Sequence, residues 1–177
     1  MSKSTIKKLL QSMKKEDIIE VVLDLYSARK EAKEYLEFYA EPDEKGKLEE
    51  YKAIIQEEFY PKRRREPQTR FSVCRKAVAG FKKLKPSADA LAELMVSYME
   101  WATKFTYDYG DMWEQYYDSV ESNFDKTVKH ISTNGLWKKY DKRLQQCVKW
   151  SDGNGYGFAD AIADMYEEGK AIDQELS

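Results

Sequence analysis

Residues 87 to 110 read SADALAELMVSYMEWATKFTYDYG, and within them Ala88, Leu91, Leu94, Met95, Tyr98, Trp101, Ala102, Phe105 and Tyr109 recur every three or four positions. That spacing lays one apolar stripe along roughly six turns of α-helix. A strand alternates faces every second residue and cannot collect these side chains on one side. The stretch therefore predicts a long, half-buried helix. Pro86 and Ser87 mark its start, and Gly110, able to adopt the left-handed conformation, marks its end.

The same period recurs along the chain. Trp113, Tyr116, Tyr117, Val120, Phe124, Val128 and Ile131 predict a following helix that closes at Asn134 and Gly135. Phe71, Cys74, Ala77, Val78, Phe81 and Leu84 form a stripe, as do Leu48, Tyr51, Ile54, Ile55 and Phe59. Later come Leu136, Trp137, Tyr140, Leu144, Cys147 and Val148, then Phe158, Ile162, Met165 and Tyr166. The first forty residues read as a short helix carrying Ile6, Leu9, Leu10 and Met13, followed by one longer helix from Lys15 to Tyr39. No segment carries the turn signals and alternation of a strand. The expectation is an all-α fold of about eight mostly antiparallel helices, joined by short connectors in one non-repetitive domain over 1–177, with 1–40 as a helical-hairpin appendage. A short α-α superhelix is the alternative, although no repeat of 34 to 45 residues is visible.

A chain of 177 residues can bury a sizeable core, and its 42% hydrophobic content supplies one. The start, MSKSTIKKLLQSMKKED, lacks an uninterrupted apolar run and a small-residue cleavage site, so no secretory signal and no membrane association are expected. Cys74 and Cys147 have no CxxC spacing and fall on helix faces. Reduced thiols and a cytoplasmic location follow as expectations.

The net charge of -2 hides strong segregation. Residues 61–85 hold ten basic groups and one acid, and 126–150 hold seven and one; residues 86–125 hold one basic group and nine acids, and 151–177 one and seven. Successive antiparallel helices of opposite charge favour their intended neighbours, which is the structural explanation. The functional one is an electropositive surface for a polyanion. The densest basic stretch is PKRRREPQTR at 61–70, with Lys62, Arg63, Arg64, Arg65 and Arg70. Pro61 ends the preceding helix, and cations past a helix C-terminus complement its dipole. Five exceed that need and are candidates for anion or nucleic-acid binding.

Catalytic signals are sparse. His130 is the single histidine and sits at the margin of its stripe. Glu114, Asp118, Glu121 and Asp125 line one helix face that points mainly away from the apolar stripe, as a solvated ridge does. No metal site and no cofactor is expected. The string WSDGNGYGFADAI contributes a loop candidate at Gly153, Asn154, Gly155, Tyr156 and Gly157. Its spacing matches neither GxGxxG nor GxxxxGK[ST], and a helix precedes it, so a nucleotide loop is not expected.

The segments STIKKLLQSMKKEDIIEVVLDLY, EFYPKR and GYGFADAIADMY together resemble a family of small bacterial all-helical proteins with no assigned activity, over nearly the whole chain. The resemblance implies no catalytic residues. The first 25 residues also resemble the two-helix nucleic-acid modules of the SAP and Rho N-terminal type. The sequence thus points first to a non-catalytic protein-protein interaction module with an unknown protein partner. RNA or DNA binding through 61–85 is the alternative, and an enzyme with an unrecognised site comes third.

Overall fold

The computed structural model describes residues 1–62, 65–155 and 157–176. Among them the chain is all-α, with nine helices: α1 (Lys3–Ser12), α2 (Lys15–Ala28), α3 (Lys30–Ala40), α4 (Glu44–Phe59), α5 (Phe71–Lys83), α6 (Ala88–Tyr109), α7 (Glu114–Thr133), α8 (Trp137–Ser151) and α9 (Phe158–Leu176). They divide into two compact units, 1–43 and 44–177.

In the first unit, Ser2 caps α1 by accepting the Thr5 N–H. The single helix expected from Lys15 to Tyr39 is two. Arg29 takes an extended conformation (φ -135°, ψ 116°) and divides α2 from α3. The reason is tertiary: the break lets α3 fold back onto α2, where the Tyr26 hydroxyl donates to Glu37 Oε1 at 2.9 Å and the Lys33 ammonium lies 5.6 Å from the Tyr26 ring centroid. No glycine or proline marks the site in the sequence.

In the second unit α6 is the central element, contacted by α4, α5, α7 and α8, while α9 closes against α7 and α8. Its start is fixed twice: Ser87 Oγ accepts the Ala90 N–H at 3.1 Å, and Glu44 at the head of α4 accepts the Ser87 hydroxyl at 2.8 Å. The stripe predicted a half-buried helix, but burial runs around most of α6. Val96, Met99, Thr103 and Thr106 are buried on flanks outside the stripe, and Tyr109 at its end is exposed. Small residues make this possible, since Ala92, Ser97 and Ala102 let neighbouring helices approach on several sides.

The core is aromatic where α4, α5, α6 and α7 meet. Phe59 packs edge-on against Phe71 (5.8 Å between centroids), Phe105 (6.0 Å) and Tyr116 (6.5 Å), and Phe71 meets Tyr116 edge-on at 4.9 Å. Edge-to-face contacts of this kind add about 0.5–1.5 kcal/mol each beyond burial. At the other end Tyr117 stacks on Phe158 (4.5 Å) and Trp137 meets Tyr166 (5.3 Å). Cys74 and Cys147 are free and buried. Burial pushes each thiol up to about 12, so both stay protonated at neutral pH.

Candidate functional site

The basic stretch that stands out in the sequence is tied to one buried carboxylate. Glu58, near the end of α4, is 4% exposed. Its Oε2 accepts from the Arg70 backbone N–H and Nε, both at 3.0 Å, and its Oε1 accepts from Arg70 Nη2 at 2.7 Å. Its backbone carbonyl takes the N–H groups of Gln68 and Thr69 at 3.1 and 2.9 Å. Arg70 therefore ends the 61–70 loop by gripping α4. Lys62 is exposed and donates its backbone N–H to Glu57 at 3.2 Å, and Arg65 is exposed. Arg63 and Arg64 lie outside the described residues.

Two cations of the second basic block, Lys139 and Arg143, are matched with acids of α6. Arg143 on α8 forms a two-point contact with Glu100 (2.8 and 2.7 Å) and a further bond to Glu93 (2.5 Å), which also accepts from Lys52 at 3.1 Å. Lys139 pairs with Asp89 at 2.6 Å. Desolvation of Glu93 would raise its carboxyl, but the bonds from Arg143 and Lys52 hold it below the ordinary range. Asp89, Glu93 and Glu100 are thus joined to Lys139 and Arg143 across the α6–α8 interface.

The glycine loop is a helix connector. Gly153 and Gly157 take positive φ (78° and 72°), which is what requires glycine there. Asn154 Nδ2 donates to the Ser151 carbonyl at 2.9 Å and to Thr106 Oγ1 at 3.2 Å, closing the end of α8 against α6. The Gly155 N–H reaches Asp111 at 3.4 Å, and Asp111 in turn accepts from the Tyr117 hydroxyl at 2.5 Å. That hydroxyl bond, with the Gly155 N–H, holds the Asp111 carboxyl low. Tyr156 lies outside the described residues. Asn154→Ala is expected to cost about 1 kcal/mol in chemical denaturation, because it strips a capping donor without opening a cavity.

The groove that the sequence did not disclose lies between α5 and α7 over α6. It encloses about 440 Å³, with Val78 and Ala79 of α5 and Leu91 and Met95 of α6 as an apolar floor. Arg75 and Lys82 stand on the α5 side, and Asn123, Lys126, Lys129 and His130 on the α7 side. Here the two basic blocks meet. Lys129 is paired with Asp125 at 2.7 Å and Lys126 bonds Ser122 at 3.0 Å, whereas Arg75 and Lys82 have no acidic partner among the described residues. His130 Nε2 lies 2.9 Å from the Ala88 carbonyl, and Nδ1 lies 3.4 Å from Asn134 Nδ2. The carbonyl can only accept, so the ring proton sits on Nε2 and the histidine anchors α7 to the head of α6. Each rim was visible as a helical ridge, Arg75 and Lys82 seven residues apart and Lys126 and Lys129 three apart. Their facing one another was not, because nothing local pairs α5 with α7.

Among the described residues no three His, Cys, Asp or Glu side chains come together to hold a metal ion, and no helix is long and apolar enough to cross a membrane. Glu114 and Asp118 are exposed on α7, and burial together with Asp118 raises the Glu121 carboxyl. The family model described as a family of unknown function, DUF6155, matches residues 1–167. The chain belongs to DUF6155. No curated protein and no solved structure matches it. In this member of DUF6155 the α5–α6–α7 groove is where apolar surface and unmatched cations coincide.

Proposed function

We propose that the chain is a non-catalytic, cytoplasmic binding module whose α5–α6–α7 groove takes an acidic amphipathic helix of a partner protein. The observation that carries this is the pairing of an apolar floor with unmatched cations on the rim: Val78, Leu91 and Met95 below, Arg75 and Lys82 beside them. Such a channel suits a helix that presents apolar anchors at i, i+3 or i+4, and i+7, flanked by carboxylates. Complementary charge speeds encounter and fixes orientation, while the floor supplies the burial. The two buried free cysteines support a reducing compartment.

Nucleic-acid binding keeps one supporting observation. α5 carries Arg75, Lys76, Lys82 and Lys83 with no acid, and Arg65 and Lys62 precede it. Against it, the Arg70 guanidinium and two of the five α8 cations, Lys139 and Arg143, are spent on internal carboxylates.

A labelled acidic amphipathic peptide, its lysine-for-glutamate counterpart and a mixed RNA and duplex DNA pool are titrated against the parent protein and Arg75→Glu/Lys82→Glu. The acidic peptide binds the parent, and the double substitution weakens it about tenfold or more. Nucleic-acid binding with a log-linear salt slope, in the absence of peptide binding, would replace this reading with the electrostatic one.

A further inference from the structure

The N-terminal unit carries apolar surface that its own helices do not consume. None of α1, α2 and α3 has a buried residue. Leu9 of α1 is 53% exposed, and Ile19, Leu23 and Leu25 of α2 are 47%, 57% and 49% exposed. At 100° per residue the apolar positions of α2, from Val21 round to Leu23, cover an arc of about 200°, where packing against one neighbour takes about 100°. α3 accounts for one side of that arc through Tyr26 and Glu37. A piece of 43 residues is also near the lower limit for standing alone, where association commonly supplies the missing burial.

Charge says what covers the rest. Residues 1–15 hold five lysines and no acid, and residues 16–28 hold four acids and no basic group. Lys3 and Lys7 on α1 and Glu16 and Asp17 on α2 border these apolar faces at 100° per residue, all are exposed, and no ion pair engages them among the described residues. An apolar face that is cationic on one helix and anionic on the next is complementary to a copy of itself turned by a two-fold axis. An anionic membrane or a nucleic acid would attract α1 but repel the four acids of α2. The size fits as well: α1 and α2 have 10 and 14 residues, together inside the roughly 20–30 per side of a standard interface.

We infer that residues 1–28 form an isologous contact with a second copy of this chain, α1 of each copy lying along α2 of the other. The inference is independent of the α5–α6–α7 groove.

Sedimentation velocity on the full chain over a concentration series tests it. A reversible dimer is expected, and Leu9→Asp and Leu23→Asp each weaken it about thirtyfold or more, as loss of a central apolar anchor does. Because both side chains are exposed, near-ultraviolet circular dichroism and the thermal transition of the 44–177 unit stay unchanged. Lys3→Glu/Lys7→Glu and Glu16→Lys/Asp17→Lys are each monomeric alone, and mixing them restores a dimer containing one of each. No merely structural role of these residues produces that restoration. A parent chain that stays monomeric at every concentration overturns the inference, as does a dimer indifferent to these changes or a mixture that stays monomeric. Binding of the monomer to anionic vesicles, lost in Leu9→Asp, would assign the face to a lipid surface and overturn it equally.

Discussion

Gly169→Ala is expected to lower the unfolding free energy by about 2–3 kcal/mol, although alanine is the better helix former by about 1 kcal/mol. Gly169 is buried in α9 where that helix crosses α7. A Cβ there would lie 2.1 Å from Val128 Cγ1, 2.9 Å from Trp137 Cζ3 and 3.1 Å from Val128 Cβ. A rotamer change at Val128 relieves only the first of these contacts. Trp137 is held by Tyr166 behind it, and the Ser132 hydroxyl donating to the Gly169 carbonyl at 2.7 Å ties the two backbones at their present separation. The helices must then move apart, and the packing of Phe158, Ile162 and Tyr166 loosens with them. Urea denaturation measures the cost. Val128→Ala removes the nearest methyl group, so the double variant should recover at least about 1 kcal/mol relative to the sum of the two single changes. A Gly169→Ala protein more stable than the parent would mean that α7 and α9 do not constrain one another here.

Glu58→Ala is expected to cost about 3 kcal/mol, because it removes a buried carboxylate that holds three donors and leaves the Arg70 N–H without its acceptor. The effect has a pH signature that separates charge from packing. Burial by itself raises the Glu58 carboxyl, but the hydrogen bonds from the Arg70 side chain and backbone, with the guanidinium charge, outweigh it and hold the group below its ordinary 4.5. A depressed folded value means that the stabilisation is fully present above the unfolded value and is lost as pH falls through the folded one. The stability gap between the parent and Glu58→Gln should therefore be constant from neutral pH to about 5 and close below it. A gap that persists undiminished well below that range would show that the carboxylate matters for shape rather than charge.

The two sites also mark how far the sequence reaches. Helical periodicity disclosed the fold class and nearly every helix, because an amphipathic stripe is a local pattern written into consecutive turns. It merged α2 with α3, since the extended Arg29 that separates them answers to the Tyr26–Glu37 contact and not to a glycine or proline. It also made α6 half-buried, because the small residues that admit neighbours on its other flanks carry little hydrophobic signal. Charge counting by segment disclosed the match between the acids of α6 and the cations of α8, which Arg143 and Lys139 carry out.

For the candidate site the reach was shorter. The run at 61–70 drew attention by its density, but Arg70 serves Glu58. The groove cations Arg75, Lys82, Lys126 and Lys129 were distributed over two helices with no local mark that they face one another. By itself the sequence determined an all-helical chain with segregated charge and a reduced pair of cysteines, because these follow from composition and from spacing within single helices. Which cations are spent on buried acids and which stand free beside an apolar floor was decided only by tertiary structure. Pairing depends on which helix faces share a boundary, and that is a property of packing between segments distant in the chain.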